Sequence, residues 1–427
     1  MKKKFKSIDG YFKKFLDIEN IKNLNNLPKN HISSIVGQGN SISKIPYANN
    51  VKLNNLDLIN NFKLNRKKKL LEANGNATIL DIHNFLIKNN YVCHYFPSYP
   101  LVSLGGCIAN GSHGIMPKKG IFNDFVVSMK VYNPNFGFKE LSNKKNINLF
   151  NLTKSGFGLT GIIVSAKIKI SKLSGTKVKI KQHKFNDIYN CYKFMKKSKD
   201  IYNQNSFLVN SSSKKVFKGR LITGQIINKK NTFQKLEINK IPHLRLGIFN
   251  FHFVKNIIFN LIFILENIKI FFKKTQHIND ILFTSNKRTG YFFLMPKKFI
   301  EYQNIVPHKY VKIYLNNLEN LIKKNKPNIT LLHLKIFAGK SKNLEFRKEG
   351  LAIAMHIVND KIFNMFFKEL IYLDKKYNCE ICIYKNSEIN LRLLKYFYNK
   401  RLKQFMKSVN KINTKYKFTN NLFGSNV

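Results

Sequence analysis

Glycines are concentrated in three separate segments whose chemistry suits the binding of a phosphate-bearing ligand. The segments are residues 37–41 (GQGNS), 105–114 (GGCIANGSHG) and 156–161 (GFGLTG). Glycine lets the backbone approach a ligand closely with its N–H groups turned inward, as a pyrophosphate requires. None of the three is a GxGxxG that opens a helix after a strand, and there is no GxxxxGK[ST] loop. A Rossmann site and a P-loop are therefore unsupported.

One histidine, His113, lies inside the second glycine segment, in the sequence GSHG. A histidine between glycines is open to a ligand more often than one on the apolar face of a helix. It can move protons or donate a hydrogen bond near neutral pH. On the residues alone, a purely structural role is equally consistent with this position.

The elements that must position these residues alternate between strand and helix. Residues 32–36, 125–134 and 161–170 predict strands next to glycine turns. A helix is predicted to begin near Thr78, which is a suitable N-cap. The apolar residues expected on one side of this helix are Ile79, Ile82, Phe85 and Leu86. This is an α+β pattern with glycine loops at strand ends, where ligands tend to be held.

From about residue 171 the sequence changes to lysine-rich strands and longer helices. Two helices are predicted, within residues 311–325 and 359–377. Three strands are predicted, at residues 329–339, 351–358 and 379–385.

The charge is strongly positive, with 75 Lys and Arg against 22 Asp and Glu and a formal net charge of +53. The basic residues are spread along the whole chain, together with abundant Asn, Ile and Phe and no Trp. AT-rich codons specify this composition without any selected binding surface, and a nucleic-acid site would group its cations. We therefore expect no specific nucleic-acid partner, and only a modest attraction to anionic substrates or lipid head groups.

The five cysteines do not form a disulfide framework, which indicates a reducing compartment. Cys379 and Cys382 form a lone CxxC in an apolar stretch, which favours buried strand residues over metal or redox chemistry. The basic N-terminus is followed by no apolar region, so no signal peptide is predicted. We expect a cytoplasmic protein, with peripheral contact at the inner face of the membrane as an open alternative.

Residues 254–272 (VKNIIFNLIFILENIKIFF) are the most hydrophobic part of the chain. Polar residues interrupt the segment, and it falls short of the ~20 clean apolar residues that a membrane span requires. It is predicted to be a helix that is either buried or lies at an interface.

Taken together and in order, the glycine segments resemble the FAD-linked oxidases of the vanillyl-alcohol oxidase type, the PCMH-type family. The matching motifs are VGQGNS, PSYPLVSLGGCIANGSHG and GFGLTGII. Within that family the chain is most similar to the oxidase subunit of decaprenylphosphoryl-β-D-ribose 2'-epimerase and its relatives. Four further segments carry this likeness, at residues 301–307 (EYQNIVP), 334–339 (LKIFAG), 349–357 (EGLAIAMHI) and 382–388 (CIYKNSE). The resemblance covers nearly the whole chain.

The resemblance implies a two-domain α+β PCMH-type fold. Residues 1–172 would form the FAD domain, residues 173–379 an inserted substrate domain of sheet and helices, and residues 380–427 a segment that returns to the FAD domain. The implied cofactor is non-covalent FAD. The residues implied to contact it are Gly37, Gln38, Gly39, Asn40, Ser41, Ser98, Tyr99, Ser103, Gly105, Gly106, Asn110, His113, Gly114, Gly158, Gly161 and Ile162.

The resemblance also implies the catalytic residues. Lys385 matches the active-site lysine of the subgroup, although by sequence alone it is one lysine among many. His113 is implied to lie beside the flavin and substrate, where it would assist proton movement. Gln303 and Lys335 match polar substrate-side positions, and a lysine suits a phosphate-bearing substrate. For these last two, ordinary strand polarity facing solvent is an equal alternative.

The chain departs from the subgroup at several positions. Ile42 replaces a tyrosine, Ile115 replaces a lysine, and residues 351–354 (LAIA) replace Trp-Asn-x-Cys. No histidine occurs between Gly37 and Pro46, where some members of the family attach FAD covalently. The flavin machinery is therefore expected to be kept and the sugar pocket to be altered.

The function implied is oxidation of a secondary sugar hydroxyl to a ketone, as one half of an epimerisation in cell-envelope synthesis. The sugar would be carried on a polyprenyl phosphate, and a short-chain reductase partner would reduce the ketone. One alternative is an aldonolactone or alditol oxidase that acts on a small soluble sugar. A second alternative is a non-catalytic basic protein that binds nucleic acid or membranes.

Overall fold

The computed structural model describes residues 2–27, 32–48, 51–198, 202–227, 232–242, 244–272, 274–283 and 285–424 of the 427-residue chain. The strands in these ranges are β1 (Lys2–Lys6), β2 (Lys13–Ile21), β3 (Ile32–Ile35), β4 (Lys52–Leu56), β5 (Phe62–Asn65), β6 (Leu70–Asn74), β7 (Tyr91–Val92), β8 (Val126–Asn133), β9 (Gly137–Ser142), β10 (Ile162–Lys169), β11 (Ser171–Lys172), β12 (Lys177–Phe185), β13 (Tyr202–Val209), β14 (Phe217–Ile227), β15 (Thr275–His277), β16 (Phe299–Pro307), β17 (Ile329–Phe337), β18 (Gly350–Val358), β19 (Glu380–Ile381) and β20 (Lys417–Phe418). The α-helices are α1 (Ile79–Lys88), α2 (Leu104–Asn110), α3 (Ile147–Thr153), α4 (Ile188–Lys197), α5 (His252–Phe272), α6 (Ile278–Leu282), α7 (Ser285–Leu294), α8 (Val311–Asn325), α9 (Phe363–Lys376) and α10 (Leu391–Asn410).

The N-terminal part of the chain builds two sheets of five described strands each. The first has the strand order β1-β2-β4-β3-β20 and the second the order β5-β6-β10-β8-β9. In the first sheet β1 and β2 are antiparallel, whereas β2, β4, β3 and β20 run parallel. Because β20 comes from the C-terminal end, the chain returns to its N-terminal sheet. The boundaries proposed between the domains, after residues 172 and 379, stay predictions.

Helix α1 begins where the sequence predicts. The Oγ1 atom of Thr78 accepts a hydrogen bond from the backbone N–H of Asp81, at 3.0 Å, as an N-cap does. Ile79, Ile82 and Leu86 are fully buried, and they pack in a core with the second sheet. Phe85, the fourth residue predicted on this side, is only partly buried. The periodicity of the apolar residues therefore identified three of the four buried positions that it predicted.

His83, on the same helix, should make the stability of the protein depend on pH. Its Nε2 atom lies 2.8 Å from Oδ1 of Asn279, and burial lowers the pKa of His83 to about 4, from 6.5. Below pH 6.5 the unfolded chain therefore binds a proton that the folded chain excludes. Between pH 6.5 and 5.5 the wild type should lose about 1 kcal/mol more unfolding free energy than a His83→Gln variant. Urea denaturation at both pH values measures this, and equal losses in the two proteins would contradict it.

From Lys177 onward the chain builds an antiparallel sheet of eight described strands, in the order β15-β12-β14-β13-β17-β18-β16-β19. The helices predicted near residues 311–325 and 359–377 are confirmed as α8 and α9, and the strands near 329–339 and 351–358 as β17 and β18. The largest core cluster includes residues of this sheet and of α4, α8, α9 and α10. This is the mixed α and β architecture that the sequence predicts.

Every residue of β16 is buried, because both faces of the strand are covered. Side chains alternate between the two faces of a strand. Tyr302 and Asn304 point toward the helices, where both hydrogen-bond the carboxylate of Asp374 on α9. Glu301 and Gln303 therefore point to the opposite face, where they line a cleft.

The strand predicted at residues 379–385 is wrong for most of its length. Only Glu380–Ile381 forms a strand, paired with Asn304 and Ile305 of β16. The chain then leaves the sheet. The apolar residues that suggested a longer strand are nevertheless buried, and Ile383 is only 1% exposed. The pairing with β16 ends before them, at Ile381.

The five cysteines are all buried and unpaired. The described residues contain no cluster of His, Cys, Asp and Glu that could hold a metal ion. In the part of the chain that the structure describes, no helix is long and apolar enough to cross a membrane.

Candidate functional site

The three glycine segments meet in space. A Cβ atom placed on Gly37, in the first segment, would lie 2.4 Å from Oγ of Ser103, two residues before the second segment. The backbone N–H of Phe157, in the third segment, donates to the carbonyl of Ala109 in the second at 2.9 Å. The segments are therefore in direct contact, although more than 100 residues separate the first from the third.

All but one of the residues predicted to contact the cofactor line a single cleft at this junction. They are Gly37, Gln38, Gly39, Asn40, Ser41, Ser98, Tyr99, Ser103, Gly105, Gly106, Asn110, His113, Gly158, Gly161 and Ile162. The exception is Gly114, which lies behind the lining. A Cβ on Gly114 would be 2.5 Å from the carbonyl oxygen of Phe96, so a larger residue does not fit there. The geometry brings these residues together, and their roles stay predictions.

Gly161 shows why this lining needs glycine. Its φ angle is +132°, and a Cβ would lie 2.6 Å from the carbonyl oxygen of Tyr132 on β8. L-residues with a side chain rarely adopt such a φ angle. The third segment therefore passes between β8 and the cleft with no side chain of its own at this point.

The predicted catalytic residues Lys385, His113, Gln303 and Lys335 line the same cleft. They come from four different elements: the loop after β19, the second glycine segment, β16 and β17. Gln303 is only 5% exposed, so the alternative of a strand residue facing solvent is wrong for it.

Gln303 connects His113 to Glu301. Its Nε2 atom donates to Oε1 of Glu301 at 2.7 Å, and its Oε1 atom lies 3.1 Å from Nε2 of His113. A carboxylate only accepts hydrogen bonds, so the amide must turn its NH₂ group toward Glu301 and its oxygen toward His113. Nε2 of His113 must then carry the proton, which leaves Nδ1 as the acceptor.

Lys335 lies on the acceptor side of the His113 ring. Its Nζ atom is 3.1 Å from the carbonyl oxygen of Gly114 and 3.4 Å from Nδ1 of His113. Burial, with the nearby charges of Lys335 and Lys385, lowers the pKa of His113 well below 6.5. His113 is therefore a neutral imidazole at pH 7. Its Nδ1 atom also lies 3.3 Å from the carbonyl oxygen of Gly114, the oxygen that accepts a hydrogen bond from Lys335.

Glu301 lies between two basic side chains. Its Oε1 atom is 3.0 Å from Nζ of Lys385, and its Oε2 atom is 3.4 Å from Nε2 of His356. Burial by itself raises the pKa of Glu301, but Lys385 and His356 together hold it well below 4.5. Among the described residues that line the cleft, Glu301 is the only one with a carboxyl group.

The loop that carries Lys385 is fixed from two sides. The backbone N–H of Cys382 donates to the carbonyl of Gln303 at 2.8 Å. Ser43, just after the first glycine segment, donates from Oγ to the carbonyl of Tyr384 at 3.0 Å. The strand predicted at residues 379–385 stops at Ile381, and the chain that follows carries Lys385 into the cleft.

Sequence reasoning missed Glu301 and His356. Both belong to segments that carried the resemblance, but neither was selected as a site residue. The available signal was strand alternation, because Glu301 is two positions before Gln303 and must share its face. His356 has no comparable signal, since its proximity to Glu301 follows from the pairing of β16 with β18.

The departures from the subgroup also lie at the cleft. Ile42, Ile115 and Ala354 all line it. Two of the three replace a polar or charged side chain, and Ala354 replaces a thiol. The wall of the cleft is therefore more apolar than the resemblance implies.

One segment near the start of the chain is similar in sequence to a known family of domains. Residues 24–136 match the family model of the FAD binding domain. The chain contains an FAD binding domain. The matched segment holds the first two glycine segments and His113, so the FAD binding domain supplies one wall of the cleft.

Similar proteins of known function act on sugar lactones. A D-arabinono-1,4-lactone oxidase of Candida glabrata is 29% identical over 147 residues, which cover 33% of this chain and 28% of that protein. An L-galactono-1,4-lactone dehydrogenase of Oryza sativa subsp. japonica is 27% identical over 103 residues, covering 24% and 18%. An L-gulonolactone oxidase of Bos taurus is 24% identical over 135 residues, covering 32% and 31%. The chain spans less than a third of the length of each relative.

The residues at the cleft fit FAD. The close approaches at Gly37 and Gly161 keep side chains out of the space between the three segments, as a bound pyrophosphate requires. The cleft has a volume of about 440 Å³, within the usual range for small-molecule sites. When bound, FAD supplies a hydride acceptor, which the amino acid side chains of this cleft cannot provide.

We expect FAD to be dissociable. The first glycine segment has no histidine to attach it, and burial raises the pKa of the Cys107 thiol, which disfavours the reactive thiolate. Precipitation of the purified protein with acid should leave a colourless pellet and a yellow supernatant. A pellet that stays yellow after washing in denaturant would show a covalent link.

Proposed function

We propose that the protein is an FAD-dependent oxidoreductase that oxidises a secondary hydroxyl of a sugar to a ketone. The observation that carries the proposal is the position of the polar cluster of Glu301, Gln303, His113, Lys335 and Lys385 in the cleft that the FAD binding domain lines. Bound FAD would supply the acceptor for the hydride that leaves as the substrate C–H bond breaks, and the O–H proton would pass to a base of this cluster. Molecular oxygen or another two-electron acceptor then takes up the electrons.

Glu301, His113 and the two lysines of the cluster each have a defined task in this proposal. The carboxylate of Glu301 accepts hydrogen bonds from the hydroxyls of the sugar and fixes its orientation. Neutral His113 receives the hydroxyl proton at Nδ1, and its lowered pKa means that it releases that proton readily. The ammonium groups of Lys335 and Lys385 stabilise the negative charge that develops during the transfer.

Two substrate classes are candidates. The subgroup resemblance favours a pentose on a polyprenyl phosphate, and the apolar departures at Ile42, Ile115 and Ala354 suit a substrate with an apolar portion. The names of the relatives favour a small sugar lactone instead. For the first class we further propose a short-chain reductase partner, since net epimerisation requires the ketone to be reduced from its other face.

Anaerobic mixing tests the proposal and separates the candidates. The visible spectrum of the purified protein should show flavin bands, and the correct substrate should bleach them. Bleaching by a polyprenyl-phosphoryl pentose alone supports the first class, and bleaching by an aldonolactone alone supports the second. A colourless protein whose nucleic-acid binding depends strongly on salt would overturn the proposal in favour of a basic binding protein.

A further inference from the structure

Helix α5 carries an apolar face that no described residue covers. Its 21 residues span about 30 Å at 1.5 Å per residue. We define its outer face by the exposed residues Phe253, Ile257, Leu261, Ile264, Leu265 and Ile268. At 100° per residue these six fall within an arc of about 120°. Their side chains are between 44% and 75% exposed, which is unusual for so many large apolar residues on one face of a helix.

The opposite side of α5 is anchored to the protein. Lys255 is fully buried, and its Nζ atom donates to Oδ1 of Asn328 at 3.2 Å and to the carbonyl of Ile329 at 3.0 Å. Phe259 is 6% exposed and stacks on Phe249. Because these contacts fix the rotation of the helix, its outer face is held toward solvent.

Cations lie beside the start of this helix. Exposed apolar residues continue from the outer face through Phe251 to Leu246 and Leu244. Arg245 lies between Leu244 and Leu246 in the sequence. Its Nη2 atom donates to the carbonyl oxygen of Ile8, which belongs to the turn of the β1–β2 hairpin, at 3.0 Å. That hairpin bears the lysines Lys2, Lys3, Lys4, Lys6, Lys13 and Lys14. Burial lowers the pKa of Lys6, and the nearby charges of Arg245, Lys13, Lys4 and Lys297 lower it further.

We propose that the outer face of α5, together with the lysines of the β1–β2 hairpin, docks the protein on the surface of an anionic lipid bilayer. An apolar helical face beside basic residues is the combination that binds such surfaces. A second copy of the chain is disfavoured as the occupant, because each copy carries a net charge of +53. A nucleic acid would use the lysines and leave the apolar face uncovered.

The docked helix also forms a wall of the cleft. Phe259 and Ile262 line the cleft, and Ile262 lies between the outer face and the buried side. A bilayer at the outer face would therefore lie close to the cleft, so a sugar on a lipid carrier could enter while its tail stays in the bilayer. This second step rests on the proposed function, whereas the docking does not.

The absence of tryptophan allows a direct test of docking. An Ile264→Trp variant carries a single tryptophan on the outer face, and an Ile59→Trp variant carries one at a site that is 94% exposed. With vesicles of equal parts phosphatidylcholine and phosphatidylglycerol, emission from Ile264→Trp should shift to shorter wavelength and that from Ile59→Trp should not. The same emission from Ile264→Trp with and without vesicles would overturn the proposal.

Sedimentation with the same vesicles gives a second test in the tryptophan-free chain. The double variant Leu261→Gln/Leu265→Gln should lose at least about tenfold in vesicle binding, whereas Ile59→Gln/Met365→Gln, at exposed sites elsewhere, should not. Vesicles of phosphatidylcholine alone should bind the wild type more weakly. If the first double variant instead converts a dimer to a monomer and leaves vesicle binding unchanged, the face is a dimer contact and the proposal fails.

These tests are independent of the chemistry at the cleft. Flavin content and bleaching by substrate are measured on the same samples. If the protein docks but no sugar bleaches the flavin, the docking stands and the proposed function fails. If a soluble lactone bleaches it equally well with and without vesicles and a lipid-linked pentose never does, the second step is wrong.

Discussion

A Lys385→Ala variant should keep its flavin spectrum but lose bleaching by substrate by about one hundred to ten thousand-fold. Nζ of Lys385 faces the cleft, where Glu301 holds it at 3.0 Å. Removing this ammonium group takes away the cation that stabilises the charge developing during hydride transfer. Stopped-flow absorbance under anaerobic conditions measures the rate of bleaching directly.

Lys154 provides the matched control for this variant. It is also partly buried, with its Nζ atom 3.9 Å from the centre of the Phe150 ring, but it does not line the cleft. Lys154→Ala should bleach at the wild-type rate. If Lys385→Ala does so as well, Lys385 has no part in the reaction.

A Glu301→Gln variant should keep its flavin and lose about one hundredfold or more in kcat/KM. The amide has nearly the shape of the carboxylate but not its charge. It therefore leaves Lys385 and His356 without their shared anion, and it can accept hydrogen bonds from a sugar through one oxygen only. Steady-state turnover with the substrate identified by anaerobic mixing gives both kcat and KM.

The same change should reduce stability in a way that depends on pH. Because the pKa of Glu301 is lowered in the folded protein, its contribution is complete above the ordinary value of 4.5 and is lost as the pH falls through the folded value. The variant should therefore be less stable than the wild type at pH 7, by up to about 3 kcal/mol, and the difference should shrink below pH 4.5. Urea denaturation across this range measures the difference.

Glu380 is a suitable control, since it is also a buried glutamate in an ion pair. Its Oε2 atom lies 2.8 Å from Nη2 of Arg401, away from the cleft. Glu380→Gln should leave turnover per bound flavin unchanged. Equal losses of turnover in Glu301→Gln and Glu380→Gln would show that the effect at Glu301 is only structural.

Local sequence patterns predicted the local structure well where one face of an element is buried. The apolar spacing in α1 and α8 identified helices whose buried residues have that spacing. The prediction of a strand was wrong for most of residues 379–385, where the apolar residues follow the pattern of a strand. Burial alone does not distinguish a paired strand from a buried turn, and only the position of β16 shows where pairing ends.

Part of the candidate site could also be predicted from local sequence patterns. The first glycine segment follows β3, the second overlaps α2 and the third precedes β10. Each is a short stretch of consecutive residues, so the residue types and their order, including His113, could be read directly from the sequence. The cluster around Glu301 could not. Its members come from β16, β18 and the loop after β19, and the register of the eight-stranded sheet decides which side chains meet.

The sequence by itself predicted that separated glycine turns would line a site for a pyrophosphate-bearing ligand, because a residue without a side chain has the same backbone freedom in any context. The structure brings these turns to one cleft, and their role in binding stays a prediction. The sequence also determined the α+β composition, through the spacing of apolar residues. Only the tertiary structure decided that Glu301 lies between Lys385 and His356, and that one face of α5 stays exposed. Ionic contacts and solvent exposure depend on which distant elements pack together, and the spacing of neighbouring residues does not encode that.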